Sequence, residues 1–356
     1  MADTLVDHEA HDYDAVLVVS FGGPDGPDDV MPFLDNVLRG VTIPPTVKER
    51  IAQRYQHCGG VSPINAATRA FIVALEAELG AHDIALPVYH GNRNWHPLLP
   101  DTLKKMQADG IKRAITHVTS VFASYNGCRK YREDLYAATA PLEAAPIIDK
   151  LRLGFNHPGF IAAVIDRARA TFATLPARRE ADAALLFTAH SLPESMAALT
   201  DYQAQLREAC QLVAAGLKRQ QWELVYQSNN ASYGEPWLQP DIGEALQQLG
   251  KAGVADAVVV PIGFVCDHME VVLDLDVEAQ AQAERAGVNM LRAATVGTHP
   301  AYVSMVRELI SERMTSGAQR RSLGSLDPSH DFCPAECCLS GRPGQPKSAL
   351  CGAAEA

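Results

Sequence analysis

Ala257-Val258-Val259-Val260-Pro261-Ile262-Gly263-Phe264 is the most apolar stretch of the chain, with no polar residue at alternate positions. A strand with one face in water alternates apolar and polar side chains, whereas a strand covered on both faces reads as a continuous apolar run. Such double covering points to a parallel sheet lying between helices. Working outward, similar short runs recur at Ala15 to Ser20, Pro87 to Gly91, Ala114 to Thr119, Ala184 to Ala189, Leu224 to Ser228 and Met290 to Ala294. Longer stretches of helical spacing separate them. After Ser62-Pro63, which reads as an N-cap followed by proline at the first helical position, Phe71, Leu75 and Leu79 recur every four residues. Strands alternating with helices place the fold in the α/β class, with parallel sheets.

Two breaks interrupt this alternation: Ala140 to Pro146, which carries two prolines, and Leu175 to Asp182, which is polar and charged. The first is the expected boundary, giving an N-terminal unit over 13–145, a C-terminal unit over 146–315 and a tail over 316–356. The tail is rich in Gly, Ser, Pro and Arg, shows no strand or long helix, and on composition alone reads as disordered.

The 356 residues are 47% apolar and 21% charged, which excludes disorder throughout. Thirty-one basic residues against 42 acidic ones leave a net charge of −11, so the chain repels polyanions and no nucleic acid partner is expected. No run reaches the ~18 apolar residues of a membrane span, so no integral membrane association is expected. The opening MADTLVDHEAHDYD lacks the basic and apolar parts of a presequence, which points to a cytoplasmic protein. Thiols stay reduced in that compartment, so the eight cysteines read as thiols or metal ligands. Cys58, Cys128, Cys210 and Cys266 are scattered, while Cys333, Cys337, Cys338 and Cys351 crowd the tail.

In parallel sheets, ligands bind beyond the C-terminal strand ends. His190 follows one apolar run directly, which delivers its imidazole to the rim of such a cleft, with Ser191 placed to cap the following helix. Taken singly, His190 also fits a plain hydrogen-bonding role. After the run that ends at Phe264 comes Cys266-Asp267-His268-Met269-Glu270, and helical spacing aligns Glu270, Asp274 and Glu278 in an unpaired acidic row. Like charges at that spacing repel, and apolar Val271, Val272, Leu273, Leu275 and Val277 hold the row near the core. A solvated face is the bland reading; a cation path is the functional one. Imidazole and carboxylate together suit Fe²⁺, Zn²⁺, Mn²⁺ or Co²⁺.

Several motifs then act jointly: Ser20-Phe21-Gly22-Gly23-Pro24, Arg54-Tyr55 with Gly59 to Ile64, Gly91-Asn92-Arg93-Asn94-Trp95, Thr188 to Pro193, Pro236-Trp237-Leu238, and Pro261 to Glu278. Together they make the sequence resemble ferrochelatases, which insert Fe²⁺ into a porphyrin late in haem synthesis, over about Ala15 to Arg313. The resemblance implies two Rossmann-like halves of the chelatase type with the porphyrin in the cleft between them. It implies His190 and Glu270 as the iron-site pair, expected from separate halves and on opposite sides of the porphyrin plane, each as proton acceptor or metal ligand. It further implies His268 as a support for Glu270, Asp274 and Glu278 as an extension of the iron path, and Phe21, Arg54, Tyr55, Ser62, Tyr131 and Trp237 as porphyrin contacts. Phe21 stands where some members carry an iron-ligating tyrosine. Leu38 replaces a propionate-binding arginine, with Arg39 beside it.

Members with a cysteine-rich extension hold a 2Fe–2S cluster as cofactor, so Cys128 is implied as an internal ligand. Cys333 and Cys338 are preferred from the tail, with Cys337 or Cys351 completing the set; a zinc site that includes His330 is the alternative. The best-matching motifs resemble actinobacterial-type members, which favours coproporphyrin III over protoporphyrin IX. A non-catalytic porphyrin carrier and a chelatase for another metal are the competing functions.

Overall fold

The computed structural model describes residues 5–41, 43–229 and 234–350. Its strands form two parallel sheets. The first contains β1 (Ala15–Ser20), β2 (Val88–Asn92), β3 (Arg113–Val118) and β4 (Ile147–Lys150) in the order β2-β1-β3-β4. The second contains β5 (Ala184–His190), β6 (Glu223–Gln227), β7 (Asp256–Val260) and β8 (Asn289–Arg292) in the order β6-β5-β7-β8. The two halves therefore repeat one winding, as two chelatase-like, Rossmann-like sheets flanked by helices. Every residue of β1 and β7 is buried, as continuous apolar runs require.

Three readings of the sequence are corrected. The run expected to continue to Phe264 ends as a strand at Val260, because Pro261 has no N–H to give a neighbour. Beyond it the chain folds over β5, with Gly263 N–H donating to the Thr188 carbonyl at 3.0 Å. β4 went unforeseen, being only four residues with two polar ones; it lies past the expected boundary at 145 yet pairs with β3, so the first sheet runs on to Lys150. Ser62 does not cap the helix Ile64–Gly80: Pro63 is already in helical dihedrals, and the Ser62 N–H is bound to the Pro24 carbonyl at 2.9 Å.

The largest apolar cluster draws on both sheets, joining Val16, Val18 and Ile115 to Leu185, Phe187 and Val258 through Phe122, Phe160 and Tyr302. Helix Pro300–Met314 packs on both Ile64–Gly80 and Pro158–Phe172, so the seam between the halves is core. Separate clusters line the outer face of each sheet. No helix among the described residues is long and apolar enough to cross a membrane.

The tail holds no regular element after Met314 among the described residues, yet it is bound down. Buried Arg152 grips both carboxylate oxygens of Glu312 at 2.7 and 2.8 Å and the Arg321 carbonyl at 2.9 Å. Asn156 holds Leu323 and Leu326, and Glu208 accepts from Ser325 and Leu326. Disorder, the reading from composition, fails because these anchors come from distant parts of the chain.

A Cβ at Gly263 would lie 2.7 Å from both Cα and Cβ of Ala189, inside contact distance. Gly263→Ala is therefore expected to destabilise the protein by about 1–3 kcal/mol in urea unfolding; an unchanged midpoint would mean that the end of β5 yields freely.

Candidate active site

In each sheet the chain runs from its first strand to one side and then crosses to the other, so adjacent loops diverge between β1 and β3, and between β5 and β7. Crevices at such reversals are where open α/β sheets bind ligands. Here the two crevices open into one cavity of about 810 Å³, lined by Phe21, Tyr55, Ser62, Tyr131, His190, His268 and Glu270 among others.

His190 is the last residue of β5 and Glu270 sits on the first turn after the β7 loop. The His190 Nδ1 contacts the Ser191 carbonyl oxygen. A carbonyl only accepts, so Nδ1 carries the proton of the neutral ring and Nε2 keeps its lone pair. That Nε2 lies 3.6 Å from Glu270 Oε2, with both side chains partly exposed. Two electron-rich atoms at this separation are stabilised by a proton or a cation between them. A first-row metal ion at ~2.1 Å from each would see them at roughly 120°, within the range of a small open coordination shell.

This arrangement corrects the expected disposition of the pair. Both residues belong to the second sheet, and a 3.6 Å gap cannot admit a macrocycle, so they share one wall and do not face each other across a porphyrin plane. Parallel pairing of β5 with β7 is the cause, because it brings their C-terminal loops together. Ser191 is likewise no cap: its hydroxyl donates to the Leu238 carbonyl, and the next helix starts at Glu194.

Behind the pair, a second pocket of about 350 Å³ is lined by Arg54, Asp274 and Glu278, and it shares Phe21, Tyr55, His190 and Glu270 with the larger cavity. The acidic row runs along a widened π-helical segment, Val272–Ala279. It is not unpaired as expected: Arg54 Nη2 donates to Asp274 Oδ1 at 3.0 Å and Glu278 Oε1 at 2.7 Å. Arg54 thus faces the acids, and two of the three carboxylates, Asp274 and Glu278, share one guanidinium. Burial pushes the Asp274 carboxyl up to about 6, helped by neighbouring Glu270 and Glu278 and opposed by Ser228 and Arg54. His268 stacks edge-on to Phe264 at 4.7 Å, and desolvation lowers its pKa.

Trp237 lines neither pocket; its backbone bridges Pro193 and its Nε1 is buried without a partner among the described residues. Missed by the sequence reading were Arg93, Lys130 and Gln227. Arg93 lies over the rings of Tyr131 at 4.6 Å and Phe21 at 5.5 Å and pairs with Asp134 at 2.6 Å. Gln227 ends β6 at the smaller pocket with a buried Oε1 that lacks a partner among the described residues. Arg93 stood within a quoted motif, so its position past β2 was the available signal; Gln227 offered none.

The cysteines converge elsewhere. Cys128, Cys333 and Cys338 are buried and Cys337 is half-buried. The hydrogen bond with Cys333, then burial, hold the Cys128 thiol well above its ordinary value. Cys337 Sγ lies 3.5 Å from Cys338 Sγ and 3.8 Å from His330 Nε2. Ligand atoms of His330, Cys333 and Cys337 all fall within 4.8 Å of one another. Cys351 lies outside the described residues.

The sequence model of the family described as Ferrochelatase matches residues 13–314. A protein named ferrochelatase from Rhodopirellula baltica is 48% identical over 332 residues, covering 92% of this chain and 93% of its own. Proteins named coproporphyrin III ferrochelatase from Frankia alni and Streptomyces griseus are 48% and 45% identical, covering 92% and 96% of this chain and 87% and 96% of theirs. Among solved structures, a multi-domain Deinococcus radiodurans protein with structural similarity to chelatases aligns with TM-score 0.53 at 18% identity, over 85% of this chain and 56% of that one. The sirohydrochlorin chelatase of Bacillus subtilis in complex with cobalt aligns with TM-score 0.51 at 12% identity, over 84% and 94%. These two likenesses concern the fold.

Because the Asp274 carboxyl holds its proton more tightly in the folded chain than in the unfolded one, it contributes stability that is complete below about pH 4 and lost as pH rises through about 6. Asp274→Asn should remove that slope, changing the unfolding free energy between those limits by on the order of 2 kcal/mol. Urea unfolding across the range checks it, and an unaltered slope would mean that Asp274 titrates ordinarily.

Proposed function

The chain belongs to the ferrochelatase family, and from that premise we propose that it inserts Fe²⁺ into coproporphyrin III, with His190 and Glu270 at the reacting centre. The enzyme's activity is the insertion of iron into a porphyrin. One observation carries the assignment of the centre: His190 Nε2 and Glu270 Oε2 stand 3.6 Å apart on one wall of a cavity that continues into an acidic pocket.

The chemistry requires two pyrrole N–H protons to leave as the metal exchanges water for four ring nitrogens. His190 Nε2, held as a lone pair by the Ser191 contact, accepts one proton from the face it meets. Glu270 passes the ion from the side pocket and takes the second proton as the carboxylate is released. Asp274 and Glu278 concentrate the cation behind it, and His268 keeps the polar wall in place as the family resemblance implies. Phe21, Tyr55, Ser62 and Tyr131 contact the macrocycle, with Arg93 beneath the same aromatic rings. The names of the Frankia and Streptomyces relatives, together with Arg39 at the cavity, support a substrate carrying four propionates.

For the cofactor we propose a 2Fe–2S cluster on Cys128, Cys333, Cys337 and Cys338. The donor set fits, since four sulfurs meet in a largely buried place and such clusters take four thiolates. Bound there, the cluster would supply a cross-link between the tail and the first half. A zinc reading is favoured by His330 beside Cys337. Iron content with visible absorption separates the two, zinc being colourless.

In anaerobic mixtures of Fe²⁺ and coproporphyrin III, loss of free-porphyrin fluorescence should be slowed at least about 100-fold by His190→Ala and by Glu270→Gln, with thermal unfolding unchanged. Normal turnover by both variants would overturn the assignment.

A further inference from the structure

Nine consecutive tail residues, Leu339 to Lys347, line the same 810 Å³ cavity as His190 and Glu270. The segment has no regular structure, and one buried guanidinium pins it at both ends. Arg129 Nη1 donates to the carbonyls of Ala335 and, at 3.2 Å, Cys337, while its Nη2 donates to the Lys347 carbonyl at 2.9 Å. Leu350 and Arg132 then exchange two further hydrogen bonds, at 3.0 and 2.8 Å. Arg129 follows Cys128 directly, so the pins lie beside the converging sulfurs.

Between the pins the segment reaches the other half. Gly341 has φ +69°, and a side chain there would come within 3.3 Å of the Ser195 carbonyl, on the short helix Glu194–Ala197 that follows β5. A strap fastened to the first half therefore passes over the cavity to touch the second. It carries two cations, Arg342 and Lys347, both exposed and neither ion-paired among the described residues. Most other cations near the cavity are already engaged: Arg93 and Lys130 pair with Asp134. In a chain of net charge −11, two uncommitted cations on a cavity wall suit an anionic ligand.

We propose that this strap is part of the porphyrin-binding site, with Arg342 and Lys347 receiving carboxylates at the edge of the macrocycle. The inference rests on the porphyrin reading of the cavity and deepens it, making the cysteine-bearing tail a contributor to substrate binding. Each contact is a charge-assisted hydrogen bond in partly open surroundings, so it is screened by salt.

The test is equilibrium titration of the full chain with coproporphyrin III, without iron, by quenching of protein fluorescence. Arg342→Gln combined with Lys347→Gln should weaken binding about tenfold and reduce its dependence on ionic strength. Lys104→Gln with Arg178→Gln, which removes two charges away from the cavity, should leave Kd unchanged. A strap variant that binds within twofold of the parent, or a control that weakens equally, would overturn the proposal. A parent chain that binds no coproporphyrin III would instead overturn the functional reading beneath it.

Discussion

Parallel hydrogen bonding points every strand of a sheet the same way, so each sheet delivers all its strand-to-helix loops to one edge. That constraint governs the rest of the molecule. It sets His190 at the end of β5 next to the loop leaving β7, and the register between those strands fixes how close the imidazole and the Glu270 carboxylate come. Gly263 is part of the same arrangement, since only a residue without a side chain lets the β7 loop lie against Ala189. The polar pair is thus placed by backbone geometry, and its own hydrogen bonds refine only the ring orientation.

The charges around the pair form a gradient of commitment. Glu278 is open to water, Asp274 is buried enough for its proton affinity to rise, and Glu270 lies between cavity and pocket. A lone guanidinium bridges the outer two. Carboxylates held close and partly desolvated repel one another, and a divalent ion relieves that repulsion more fully than one Arg54 can. An ion received there would meet an open set of carboxylates and not a closed ring of ligands, which leaves it able to exchange.

Much of this was legible in the sequence, for identifiable reasons. Fully apolar strands such as Ala257 to Val260 announce a doubly covered sheet, and residues at strand ends announce a cleft. His190, Glu270, Tyr55, Ser62 and Tyr131 were all placed on the cavity by motif. What failed depended on three-dimensional proximity. β4 was too short and polar to register locally, Arg54 could not be assigned to Asp274 without knowing that residues 220 positions apart meet, and the shared wall of His190 and Glu270 needed the sheet order. Trp237 matched a motif, yet it lines neither pocket. The tail misled for a related reason: Arg129, Arg152, Asn156 and Glu208 hold it from far along the chain, and no local pattern records such anchors.

The apolar cluster shared by the two sheets carries a mechanical consequence. Phe160 and Tyr302 are interior to both halves at once, so parting the jaws of the cleft would expose core that neither half could cover alone. The shared core therefore opposes hinge opening of the cleft, which favours a fixed gauge. Discrimination among ring-shaped guests then falls to the side chains at the mouth, and variation in the fit of one guest over another should accumulate on the rim while the interior stays unaltered.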